Sequence, residues 1–155
     1  MDPLNCSCDC GCARFTITGE PFGRFMCHCT ICQAVYRAPF ADAIVLAAGN
    51  VPREAVEHVR FERHRPPPAV QRGRCRSCGQ PVVAYMTVVP GFALAFVPVA
   101  RYPQGITPPD PGMHIHYDSR VAVVDDDLPR FSGYWRSQFA VLRMVWRAAR
   151  SNRHR

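Results

Sequence analysis

The segment FMCHCTICQAVYRAPF (residues 25–40) sets Cys27, Cys29 and Cys32 within six positions. A structural zinc takes four ligands, and this cluster offers three. Whether the fourth comes from elsewhere in the chain or is left for chemistry governs how the other cysteines are read. There are nine in all, an odd number, so complete pairing as disulfides is excluded. Cys-x-Cys neighbours are also poorly placed to bridge each other, because disulfide geometry is narrow. The start, MDPLNCSCDCGC (1–12), has neither the basic stretch nor the apolar stretch of a secretory signal, which points to the cytoplasm. In that reducing compartment, closely set cysteines are read as metal ligands.

Two further groups carry such ligands. CSCDCGC (6–12) has Cys6, Cys8, Cys10 and Cys12 at alternate positions. If extended, it points all four to one face, and two of them can grip one metal. CRSCG (75–79) is a Cys-x-x-Cys knuckle, Cys75 and Cys78, whose glycine permits the tight turn that aims two sulfurs at one ion. The knuckle needs a second pair, and on spacing alone either of the other groups can supply it. If the first group does, Cys27, Cys29 and Cys32 form a separate three-sulfur site. Such a site keeps a coordination position for water or substrate.

The 155 residues suit one modest domain, and a 48% hydrophobic composition suits a soluble globular protein. No apolar run approaches the roughly 18 residues of a membrane span. ARFTITG (13–19), HVRFERH (58–64), VVAYMTVV (82–89), FALAFVPV (92–99) and MHIHYD (113–118) read as short strands. PG at 90–91 makes a hairpin of the third and fourth. Proline-rich loops, RHRPPPAV (63–70) and RYPQGITPPDPGM (101–113), separate the others. The pattern predicts a mainly β domain over 1–131.

Residues 132–155 differ. Trp135, Phe139, Leu142 and Trp146 recur at helical spacing, and Ser132 is placed to cap the helix start. No acidic residue follows Asp127, whereas seven arginines do, Arg130, Arg136, Arg143, Arg147, Arg150, Arg153 and Arg155, equal to the whole net charge of +7. The expectation is an amphipathic helix docked on the sheet, or on a second copy in a homodimer, by its aromatic stripe. Nucleic acid, an anionic membrane surface and a partner protein are the other surfaces such a basic helix suits.

Taken in order, the motifs resemble those of the glutathione-dependent formaldehyde-activating enzyme family, which includes centromere protein V. The family's Cys-x-Cys-Gly-x-x-Arg-Phe is similar to Cys8-Asp9-Cys10-Gly11-Cys12-Ala13-Arg14-Phe15. Its Cys-His-Cys-x-x-Cys matches Cys27-His28-Cys29-Thr30-Ile31-Cys32, and its Cys-x-x-Cys-Gly matches Cys75 to Gly79. Its late His-Ile and acidic Leu-Pro-x-Phe resemble His114-Ile115 and Asp126-Asp127-Leu128-Pro129-Arg130-Phe131.

The resemblance implies a structural zinc on Cys8, Cys10, Cys75 and Cys78, and a second, activity-linked zinc on Cys27, Cys29 and Cys32. It implies a small folded-over, β-tent-like sheet domain. The implied activity is addition of glutathione's thiol to formaldehyde, giving S-(hydroxymethyl)glutathione, formally a carbon–sulfur lyase reaction. The alternative is a non-enzymatic, zinc-stabilised binding module whose basic tail contacts a protein or nucleic acid.

The chain departs from the family after Cys32. Where the family commonly has Arg-x-x-Ser/Thr-Gly, this chain has Gln33-Ala34-Val35-Tyr36-Arg37. The family's tryptophan before Leu-Pro-x-Phe is also replaced, by VAVV (121–124). Arg37 is a candidate for a substrate carboxylate or an ordinary surface arginine. His28, between two ligands, is expected to turn away from them in a packing role. His114 and His116 are expected on one strand face, where one could donate to substrate or complete the second zinc. Cys6 and Cys12 are spare thiols or candidates for that fourth ligand, and Asp125 to Asp127 reads as a solvated turn.

Overall fold

The computed structural model describes residues 2–66 and 69–152. Pro67 and Pro68 of the proline-rich loop, and the last stretch of the tail with Arg153 and Arg155, lie outside the described residues. Ten strands follow in chain order: β1 (Leu4–Ser7), β2 (Arg14–Ile17), β3 (Gly23–Cys27), β4 (Ala41–Ala47), β5 (Val59–Arg63), β6 (Gln71–Cys75), β7 (Pro81–Val89), β8 (Phe92–Pro98), β9 (Met113–Ile115) and β10 (Arg130–Phe131). Two helices, α1 (Thr30–Tyr36) and α2 (Tyr134–Asn152), complete the fold. β1 and β2 form a two-stranded sheet, and the others form a mixed sheet in the order β10-β9-β3-β4-β8-β7-β6-β5. The fold is mainly β with a C-terminal helix, as the strand pattern predicts.

The chain divides into two compact units, residues 1–21 with 45–108, and residues 22–44 with 109–155. In the first, β5, β6, β7 and β8 run as an antiparallel meander. The turn at Pro90-Gly91 joins β7 to β8, with Gly91 at φ 84°. Val82 and Val83 of β7 and Leu94 to Pro98 of β8 are buried in unbroken runs, so this part of the meander is covered on both faces. The Tyr85 hydroxyl, in the same core, donates to the Val51 carbonyl at 2.7 Å.

In the second unit, β9 pairs in parallel with both β3 and β10. Arg24 of β3 forks onto both carboxylate oxygens of Asp42, at 2.7 and 2.6 Å, a bidentate geometry that fixes both side chains. α2 starts at Tyr134, directly after Gly133, so Ser132 is not the cap; the Asp118 carboxylate accepts the Gly133 N–H at 2.7 Å. Ser137 on the first turn accepts the His116 N–H at 2.9 Å and donates to the Gly133 carbonyl at 2.7 Å.

The aromatic stripe of α2 does not dock the helix. Ser137, Ala140, Val141 and Val145 form its buried face, with Met144 lying over Gly23. Trp135, Phe139, Leu142 and Trp146 are 70%, 66%, 38% and 55% exposed. Small side chains let the helix axis approach closely, and Gly23, at φ 152°, leaves no Cβ in the way of Met144. Two apolar faces compete for the packed position, and the small one wins. Among the described residues, no helix is long and apolar enough to cross a membrane.

Candidate metal centres

Each cysteine group is positioned by a turn rather than by a straight strand. In the first, β1 ends at Ser7, and the chain turns so that the Gly11 N–H donates to the Cys8 carbonyl at 2.9 Å. The knuckle after β6 does the same, with the Gly79 N–H on the Cys75 carbonyl at 3.0 Å. Gly11 and Gly79 sit at φ 74° and 72°, the left-handed region where a Cβ is strained. The turn breaks the alternation expected of CSCDCGC. Cys8 and Cys10 reach the site, while Cys6 is buried in β1 opposite Phe15 and Cys12 is exposed. Neither of these two joins a cluster. Burial pushes the Cys6 thiol up to about 12, as an inert buried thiol requires.

Cys8, Cys10, Cys75 and Cys78 bring their sulfurs within 4.8 Å of one another. The Cys8–Cys10 and Cys10–Cys75 sulfur separations are 3.3 and 3.7 Å. A tetrahedron with metal–sulfur bonds of about 2.3 Å has edges of about 3.8 Å, so the donor set fits a thiolate-bound ion. Backbone N–H groups of Ala13 and Ser77 point at the Cys8 and Cys75 sulfurs at 3.3 and 3.4 Å. Burial raises the Cys75 thiol, but N–H donors of Cys78 and Ser77, with thiol donors beside it, outweigh burial and bring it down to about 6. The two halves are also tied by side chains. Arg101, 6% exposed, donates to both Asp9 and Gln80 at 3.0 Å, and Gln80 donates to Asp9 at 2.5 Å. This cationic anchor, bound to the residue between Cys8 and Cys10, was not legible in the cysteine spacing.

Cys27, Cys29 and Cys32 form a second cluster, again with sulfurs within 4.8 Å. Cys27 ends β3, Cys29 caps α1, and Cys32 lies one turn in, its N–H directed at the Cys29 sulfur at 3.4 Å. Sequence periodicity missed α1, because seven residues are too few to show a helical repeat. Its N-cap is a cysteine, outside the usual Ser, Thr, Asp and Asn set. Cys27 and Cys32 are buried and Cys29 is half-buried. Hydrogen bonds from the Cys27 and Cys32 thiols, helped by the Cys32 N–H, hold the Cys29 thiol well below the ordinary range against its burial. The same bonds, with burial added, hold Cys27 well above the ordinary thiol range. Three sulfurs gathered this closely are a donor set that can hold a metal ion.

Beside it, His28 and His114 are both buried, and their rings share a hydrogen bond, His28 Nε2 to His114 Nδ1, at 2.8 Å. His114 Nε2 then meets the Asp126 carboxylate at 2.9 and 3.1 Å. Asp126 only accepts, so with neutral rings His114 donates from Nε2 and His28 donates to His114. His28 Nδ1 is then the unprotonated nitrogen, buried without a hydrogen-bond partner among the described residues. Burial first, and then the neighbouring His114, push the His28 ring down to about 4. Phe40 and Tyr117 pack against it at 5.1 Å.

Asp126 corrects the expectation of a solvated acidic turn. It accepts the Leu128 N–H at 3.1 Å, and Arg130 binds its carbonyl at 2.6 Å, so the loop is folded onto His114. The hydrogen bond from His114 is the main reason its carboxyl lies below the usual carboxylate range. His116 is likewise not on the strand face of His114, because it leaves β9 at φ 52°. Gln33, at the family's arginine position, donates to the His28 and Ser119 carbonyls at 2.6 and 2.8 Å. Arg37 caps α1 in the left-handed conformation, φ 50° and ψ 44°, with its N–H on the Gln33 carbonyl and its side chain exposed. A glycine at that position would meet the same backbone need without a Cβ. The family model described as glutathione-dependent formaldehyde-activating enzyme matches residues 3–119. No curated protein matches the chain.

Proposed function

The chain belongs to the glutathione-dependent formaldehyde-activating enzyme family, and from that premise we propose that its Cys27–Cys29–Cys32 cluster adds glutathione, or a similar small thiol, to formaldehyde. In that addition the thiol sulfur forms a bond to the carbonyl carbon and the C=O π pair moves to oxygen. The thiol proton ends on that oxygen, giving the S-hydroxymethyl adduct, and the reverse reaction is a carbon–sulfur lyase step. The observation that supports this reading is the gathering of three unbridged thiols, of which Cys29 is half-buried.

Zinc is the ion we assign to both clusters, structural on Cys8, Cys10, Cys75 and Cys78, and active on Cys27, Cys29 and Cys32. Cys27, Cys29 and Cys32 would hold the ion, which when bound would supply Lewis acidity to lower the pKa of an incoming thiol or to polarise a carbonyl. The chain's own residues hold the donor set in shape. Gln33 ties α1 to the backbone at His28, which fixes the spacing of Cys29 and Cys32. The Asp126–His114–His28 chain locks the ring between Cys27 and Cys29, and with it the backbone that carries both sulfurs. Thiols kept as ligands suit the reducing cytoplasm we assign.

Formaldehyde consumption with and without glutathione, followed against the spontaneous reaction, tests the proposal. Acceleration is expected from the zinc-loaded protein and loss of at least 100-fold in Cys29→Ser. No acceleration above background would remove the enzymatic reading.

A further inference from the structure

Among the described residues, nothing buries the outward face of α2, and its chemistry is sorted. Taking 100° per residue, Trp135, Phe139, Leu142 and Trp146 fall in one narrow stripe opposite the buried face of Ser137, Ala140, Val141 and Val145. Arg136, Arg143, Arg147 and Arg150 all fall along one flank of that stripe and are exposed. Arg150 lies over the Trp146 ring at 4.1 Å, and Trp135 and Phe139 are ring neighbours at 6.5 Å. Nineteen helical residues make a ridge about 28 Å long.

We propose that α2 is an interfacial helix that lays this ridge onto an anionic lipid surface, with the tryptophans and Phe139 in the headgroup–acyl boundary and the arginine flank on lipid phosphates. Charge selects this occupant. No acidic residue follows Asp127, so neither flank of the helix offers a carboxylate to an arginine row. Packing the ridge antiparallel against a second copy sets arginine flank against arginine flank; packing it parallel sets arginines against Tyr134 and Gln138, with no balancing charge. An anionic bilayer balances the arginines and accepts the aromatic ridge together. Nucleic acid would balance the arginines and leave a protruding ridge of Trp, Phe and Leu in water. Tryptophan near each end of the ridge is the placement that membrane–water interfaces favour. The surface is independent of the cysteine chemistry.

The chain has two tryptophans, and both lie on the ridge, so intrinsic fluorescence reports the contact directly. The full-length, zinc-loaded protein is titrated with vesicles of phosphatidylglycerol and phosphatidylcholine, and with phosphatidylcholine alone, at low and high salt. The expected result is a blue-shifted emission and flotation with the anionic vesicles, weakened by salt and at least tenfold weaker with the neutral ones. Phe139→Ser with Leu142→Ser, both at exposed positions, should cut partition at least tenfold at unchanged circular dichroism. Arg143→Gln and Arg147→Gln should each cost about fivefold. The proposal is overturned if anionic vesicles give no shift and no flotation. It is equally overturned if the shift follows protein concentration without lipid, which marks a dimer. Salt-sensitive DNA binding without vesicle partition would overturn it as well.

Discussion

His28 and His114 are imidazoles with no access to water, and a buried ring of this kind has a direct spectroscopic signature. His28 titrates near 4 in the fold, against 6.5 for the ordinary side chain. Between those values the unfolded chain binds a proton that the folded chain does not. His28 therefore leaves stability intact above 6.5 and lowers it as pH falls toward 4. The His28 Cε1–H resonance should keep its neutral-ring position from pH 8 to 5.5, and a midpoint near 6.5 would contradict the buried, hydrogen-bonded ring. The cysteines, as the residues of shortest motif spacing, were legible in the sequence. Asp126 was not, because its role depends on β10 lying beside β9, which brings residues 12 positions apart into contact. Its aspartate neighbours gave no local sign of which one would turn inward.

At the scale of elements, two backbone positions carry testable strain. Arg37 holds a left-handed helix cap that glycine would hold without a Cβ penalty, so Arg37→Gly should stabilise the protein by roughly 1 kcal/mol in thermal or urea unfolding. A loss of stability would mean that the arginine side chain supports the fold. At Gly23 an added Cβ would come within 2.6 Å of the Met144 sulfur, at φ 152°. Gly23→Ala should cost about 1–3 kcal/mol and loosen α2, seen as faster hydrogen exchange along the helix; unchanged exchange would contradict the close approach. β5 was readable because its residues alternate about one buried face, and β7 and β8 because their apolar, β-branched and aromatic runs flank the Pro90-Gly91 turn. β4 was missed since Ala43 to Leu46 are all buried, and an unbroken apolar run has no period to read. Helical spacing revealed α2, yet misassigned its docking face. Periodicity ranks faces by hydrophobicity, whereas docking favoured the small residues that allow close approach.

For the molecule as a whole, the two cysteine clusters sit on different compact units, and each has its own supporting hydrogen bonds. The four-thiol site ties the N-terminal turn to the β6–β7 knuckle, so on the proposed zinc assignment removing the metal should cost the fold. The three-thiol site lies on a turn and a short helix already held by Gln33 and the His28–His114–Asp126 chain. On the same assignment, losing a metal here should cost the proposed activity and leave the fold standing. Zinc added to either cluster should also bind more weakly as pH falls, because protons return to thiols such as Cys27, which is held high. Zinc content per folded chain, by elemental analysis with native mass spectrometry, tests this division most directly. Two zincs are expected for the unaltered protein, one for a folded Cys29→Ser, and an unfolded, metal-poor Cys78→Ser. A single zinc in the unaltered protein, or two retained in Cys29→Ser, would contradict a separate three-thiol centre.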